Sequence, residues 1–320
     1  MHEQHTNSGG IARPVRAGER DRPAPCGDRG GLVMATIEQL PEARRTARLR
    51  AWARGRTGIL TGLLVVIVVA WALTIVTSVV APDAQGRLAT ALSALGGHGH
   101  EVAGAFDDGS VSLPLALVLV AGSWIVMTAA MMLPSSVPMI TVLAASSSRT
   151  TGWRRQFASF MLGYFVVWVA FGLVAFAFDL GLRTLGDAWP WLGENWQVVT
   201  AAALAIGAVY QLTPLKDACL KGCRHPVSFL LRHHRRRGGV GWDLGLRHGM
   251  FCVGCCWALM LVMVVAGTAQ LALMGVLALV MLAEKAMPWG EKVVRPIGIV
   301  FAVAAVVVLF VGSGGHVHGA

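Results

Sequence analysis

Five of the six cysteines sit in two short motifs, Cys219-Leu-Lys-Gly-Cys223 and Cys252-Val-Gly-Cys255-Cys256. Thiolates ligate soft metal ions and also carry out disulfide exchange, so a cluster of this size points to a metal site or a redox site. On a helix turning about 100° per residue, Cys252, Cys256, Met260 and Met263 fall on one stripe roughly 16 Å long, with Cys255 on its edge. A second group of soft donors, Met127, Met131, Met132 and Met139, lies in the run from Trp124 to Met139. Met127 and Met131 are one turn apart and share a face. Thiolates together with thioethers select Cu(I) over hard cations such as Mg²⁺ or Ca²⁺. Zn²⁺ accepts thiolates but suits thioethers poorly, and it is the second candidate. Weak sulfur ligation also suits an ion that has to be handed on.

Other polar groups carry less. Glu284, three residues after Met281 and with Met287 beyond, stands at the end of an apolar run, where an ionisable side chain is a functional candidate. It is a candidate ligand, or else a partner for Lys285 or a nearby Arg. Pro134 and Pro138 interrupt a helix and free carbonyls that need other partners. His98-Gly-His100 and His316-Val-His318 suit Cu²⁺ or Zn²⁺ through imidazole, but their glycine-rich surroundings argue against a preformed site. His225, His233, His234 and His248 belong to a basic stretch and read as solvated positive surface.

The elements that must position these residues follow from composition. Of 320 residues, 55% are hydrophobic and 14% are charged, against roughly 25% charged in soluble domains. Uncharged runs near the roughly 20 residues of a bilayer span predict seven helices. They are Gly58–Val80, Leu113–Leu133 with a continuation to Ala145, Phe157–Phe178, Trp196–Leu212, Met250–Gly267, Leu271–Ala283 and Ile297–Val311. The expected fold is therefore an all-α, polytopic transmembrane bundle of about seven helices.

Charge sets the expected topology. Of the 27 basic residues, 25 fall before the first helix, between helices two and three, between four and five, or after six. Arg87 and Arg183 are the exceptions, and their loops are net acidic. Lys and Arg collect on the cytoplasmic side, so the N-terminus is expected in and the C-terminus out, in a multi-pass protein of the bacterial cytoplasmic membrane in contact with lipid. The net charge of +10 is then a topology signal and gives no support to nucleic-acid binding. Residues 1–57 read as a disordered, basic cytoplasmic tail, in which Cys26 has no assigned role and Met34 is a candidate start. Residues 58–312 form the membrane domain and 313–320 a short outer tail. Both cysteine motifs face the reducing cytoplasm, which argues against a structural disulfide.

These motifs occur in a recognisable order: Met131-Met-Leu-Pro134 with Pro138-Met139, Lys216-Asp-Ala-Cys-Leu-Lys-Gly-Cys-Arg-His-Pro226, Gly249 to Met260 around Cys252-Val-Gly-Cys-Cys, and Glu284-Lys285. Together they resemble a family of bacterial metal-binding integral membrane proteins, some of which look like membrane copper chaperones that accompany tyrosinases. The resemblance covers about residues 113–298. Residues and resemblance together lead to the expectation of a non-enzymatic copper chaperone. It binds Cu(I) through Cys252, Cys255 and Cys256, with Cys219 and Cys223 completing the site. Met127, Met131, Met132, Met139, Met260, Met263 and Glu284 are accessory ligands, and an apo copper oxidase is the recipient. A copper or zinc transporter and a membrane thiol–disulfide oxidoreductase are the alternatives.

Overall fold

Long apolar runs become helices because, away from water, each backbone N–H and C=O needs a partner within its own segment. A computed structural model describes residues 42–80, 90–91, 99–147, 152–233, 240–266 and 271–314, and every element in them is helical. Cys26, Met34, His98, His234, His316 and His318 lie outside the described residues, as does the side chain of His100. The chain falls into two units, Met1–Ala51 and Trp52–Ala320, and the candidate site belongs wholly to the second.

The helices are α1 (Glu42–Val80), α2 (Gly99–Asp107), α3 (Leu113–Met127), α4 (Leu133–Ser147) after a π-helical turn at Thr128–Met132, α5 (Trp153–Ala188), α6 (Pro190–Glu194), α7 (Trp196–Gln211), α8 (Pro214–Arg224), α9 (Pro226–His233), α10 (Val240–Ala266), α11 (Leu271–Ala286) and α12 (Gly290–Gly314). Each of the seven expected runs has a helical counterpart. Five are long and apolar enough to cross a membrane: α1 from Thr57, α3 with α4, α5, α10 and α12. A sixth follows if α7 and α8, bent by 69° at their junction, form one span. Helix α11 has 16 residues and falls short of that length. Several boundaries lie earlier than the apolar runs alone indicate, notably α10 at Val240 and α12 at Gly290.

The helices differ in how far they are enclosed. The apolar windows of α1 and α12 are only 17% and 22% buried, whereas those of α3–α4 and α10 are 56% and 61% buried. The two more enclosed spans are thus the ones that carry Cys252, Cys255 and Cys256 and the methionines from Met127 to Met139, with Met260 and Met263. Helix α10 is held hard against α5 by Gly241, Gly245 and Gly249, one turn apart. A Cβ on these glycines would strike Gln156, Phe160 and Val167 respectively, and one on Gly163 of α5 would come within 2.8 Å of the Trp242 carbonyl. Small residues at four-residue spacing allow this backbone approach.

The proline-rich helix is resolved by two devices. Pro134 has no N–H to give the Ala130 carbonyl four residues earlier. The chain widens into the π turn at that point, and the Trp71 indole of α1 donates to the Ala130 carbonyl at 3.0 Å. At the α7–α8 corner, Pro214 opens the new helix and the Thr213 hydroxyl caps it by accepting from the Lys216 N–H at 3.3 Å.

Candidate metal centre

Helix α8 is amphipathic, with Lys216, Leu220 and Cys223 buried along one side. Their spacing of four and three residues is that of a single helical face. Cys223 therefore points inward, and its Sγ lies 3.8 Å from the Cys255 Sγ. Cys219, on the neighbouring edge, is half-buried. Its Sγ lies beside Gly254 of α10, where an added Cβ would come within 2.8 Å of it. Glycine at this position lets α8 and α10 close on each other, and the Tyr210 hydroxyl of α7 donates to the Gly254 carbonyl at the same contact.

Cys252, Cys255 and Cys256 are each 1% exposed. Cys255 looks towards α8, whereas Cys252 and Cys256 look towards the π turn and α11. The Cys255 and Cys256 thiols both donate to the Cys252 carbonyl, at 3.1 and 2.8 Å. The Cys256 Sγ lies 3.8 Å from the Met132 Sδ. The Tyr164 hydroxyl of α5 joins Cys252 to Ser136, at 3.3 Å from the Cys252 Sγ and 3.1 Å from the Ser136 Oγ.

Lys285 of α11 reaches into this sulfur group. Its Nζ is 3.2 Å from the Cys252 Sγ, 3.8 Å from the Cys256 Sγ and 3.8 Å from the Met132 Sδ. Among the described residues no carboxylate pairs with it. A buried ammonium is costly unless negative charge or good acceptors surround it, and the acceptors here are sulfur atoms.

Glu284, the preceding residue, turns the other way. The Lys216 Nζ donates to its Oε2 at 2.8 Å and the Gln211 Nε2 donates to its Oε1 at 3.0 Å. Lys216 also donates to the Gln211 Oε1, and the Arg224 guanidinium donates to the Glu284 carbonyl. Both carboxylate oxygens are thus engaged in an ion pair whose partners are each 1% exposed. The structure places Glu284 with Lys216 rather than among the thiols.

The remaining sulfur residues singled out from the sequence are enclosed in the same core. Met127, Met131, Met139, Met260 and Met263 are all buried in the cluster that contains Cys252, Cys255 and Cys256. Met132 is the thioether found against a thiol. His248 departs from expectation. Because α10 begins at Val240, His248 is part of a packed helix and is 2% exposed, not solvated.

The sequence reading also missed Lys285, Tyr164 and Lys216 as members of the site. Two of them carried a signal. Lys285 shares with Glu284 an ionisable position at the end of an apolar run, and Lys216 precedes Cys223 by two helical turns. Tyr164 carried none, because its role depends on how α5 packs against α10.

The donor set fits a soft ion: four buried thiols and a thioether on neighbouring elements, with the carboxylate directed elsewhere. The sulfurs are not yet gathered on one point. Among the described residues, no three His, Cys, Asp or Glu side chains form a group ready to hold a metal ion.

A family model described as PpoB2, copper chaperone, matches residues 121–308, which span every element of this site. No curated protein and no solved structure matches the chain.

Proposed function

The chain belongs to the PpoB2 copper chaperone family, and from that premise we propose that it is a membrane-integral chaperone that binds Cu(I) and delivers it to a copper-dependent oxidase of the tyrosinase type. Cys252, Cys255, Cys256 and Cys223 supply thiolates and Met132 a labile thioether. Cys219, at the rim, makes the first or last contact with the ion. Met127, Met131, Met139, Met260 and Met263 form the soft surroundings through which it moves. The protein works in the bacterial cytoplasmic membrane, N-terminus in and C-terminus out, with α11 completing a seven-helix bundle. Residues 1–57 form its basic cytoplasmic tail.

The observation that carries this reading is the meeting of thiols from two helices with Met132 and Lys285 in one buried layer. Soft donors suit Cu(I), and Lys285 supplies the missing charge balance. One Cu(I) held by two thiolates is a net anion, and the adjacent ammonium makes the group neutral. Charge balance of this kind lowers the cost of keeping such a site away from water.

The test is a titration of purified protein, loaded with Cu(I) under reducing conditions, against a Cu(I) chelator. The Cys252, Cys255 and Cys256→Ser triple variant is run alongside. Tight binding of about one ion per chain, lost in the triple variant, supports the reading. Equal binding in both proteins, or binding in neither, overturns it. The 3.8 Å contact between the Cys223 and Cys255 sulfurs supports a second reading as a thiol–disulfide pair, and the second outcome would favour it.

A further inference from the structure

We propose that His248 is a copper ligand, bringing an imidazole to the Cys252 side of the thiol cluster from one helical turn before it. The inference rests on the copper-binding reading above and adds a ligand to it.

His248, Cys252 and Cys256 succeed one another at four-residue intervals along α10. Side chains at that spacing lie on one helix face and can close on a single ion, as paired ligands do in helical metal-binding motifs. His248 is 2% exposed, and neither Nδ1 nor Nε2 has a hydrogen-bond partner. Three aromatic rings fix it in place. Phe160 and Tyr164 stack on it, with ring centroids at 5.9 and 5.6 Å and interplanar angles of 29° and 26°, and Phe229 meets it edge-on at 5.9 Å. Tyr164, which covers the imidazole with its ring, touches the Cys252 Sγ with its hydroxyl. One side chain thus packs against both proposed ligands.

The energetics favour a ligand over a packing residue. A neutral imidazole has one N–H and one lone pair to satisfy. Leaving a buried polar atom without a partner is costly, and Phe or Leu in the same aromatic slot would not incur that cost. The lone pair is what a metal ion takes, and imidazole is a good donor to copper. When Cu(I) binds, the Cys252 thiol releases its proton to solvent or to the carrier that brings the ion. Sulfur and imidazole nitrogen each give an electron pair, and the oxidation state does not change. The Cys252 thiolate and Cu(I) cancel in charge, and a second thiolate, from Cys256, balances the Lys285 ammonium beside them.

The test is X-ray absorption at the copper edge on the full-length protein loaded with one equivalent of Cu(I), beside H248F and H248Q. H248F keeps a ring in the aromatic slot, and H248Q keeps a polar group. Mixed nitrogen and sulfur coordination with imidazole scattering in the wild type, lost in both variants while they still bind copper, is the expected result. If a variant fails to fold, the wild-type spectrum decides. Sulfur-only coordination in the wild type overturns the role of His248 and leaves the thiolate site standing. A wild-type protein that binds no copper removes both.

Discussion

Glu284 and Lys285 are neighbours in one helix, both buried, and their charges are balanced by different means. Glu284 is met by a full opposite charge on Lys216 and by the Gln211 amide. Lys285 is met by two thiols and a thioether. The first arrangement is complete as it stands, so its role is to hold α7, α8 and α11 together. The second is balanced only once the sulfurs carry negative charge, so it is tied to their chemistry. Adjacent residues on a helix project about 100° apart. A single Glu-Lys pair can therefore serve a structural layer on one side and a reactive layer on the other.

Removing one half of the ion pair should have the largest effect. Glu284→Ala leaves Lys216 buried without its partner, and stranding a buried charge costs about 3–5 kcal/mol. Denaturation in detergent should show that loss. Lys216→Met with Glu284→Leu, which removes both charges, should recover most of it, because paired apolar replacement is often near neutral. If the double variant is as unstable as the single one, the pair does more than balance charge.

Lys285→Met should behave differently. It leaves no carboxylate stranded, so the apo protein should lose less stability than Glu284→Ala. It should weaken Cu(I) binding, since a hydrogen bond to a charged group contributes about 1.5–3 kcal/mol, or about one to two orders of magnitude in affinity. Unchanged copper affinity would separate Lys285 from the metal chemistry and break the comparison.

Gly254→Ala tests the closure of α8 on α10. The new methyl would press on the Cys219 sulfur, and overpacking of this sort costs about 1–3 kcal/mol. The thiol side chain can swing aside, so the lower end is expected, with faster Cu(I) exchange at the rim as the measured result. Tyr164→Phe should give the smallest change. It removes one hydroxyl between Ser136 and Cys252, worth about 1 kcal/mol, and should slightly reduce copper affinity in the same chelator titration.

Much of this could be read in the chain. The helical class, the long apolar runs and the two cysteine motifs all follow from local sequence, because composition and helical period are local properties. The family resemblance, carried by Met131-Met-Leu-Pro, the two cysteine motifs and Glu284-Lys285, is borne out by the family match over residues 121–308. Helix starts were less legible. Val240 to Gly249 is polar and glycine-rich and reads as loop, yet Gly241, Gly245 and Gly249 are there to admit α5. His248 reads as surface for the same reason, yet it is buried.

The order of residues thus sets what kinds of atoms are available: soft sulfur in the long apolar helices, and a carboxylate and an ammonium at the end of a short apolar run. Which of these meet is a matter of how the helices pack. Whether Glu284 or Lys285 faces the thiols depends on how α11 is rotated against the π turn and α10, and a rotation of one residue would exchange them. That rotation is set by packing across helices, with Lys216 and Gln211 arriving from α8 and α7 on one side and Met132 and Cys252 on the other. These contacts join residues distant in the chain, and no local pattern encodes them.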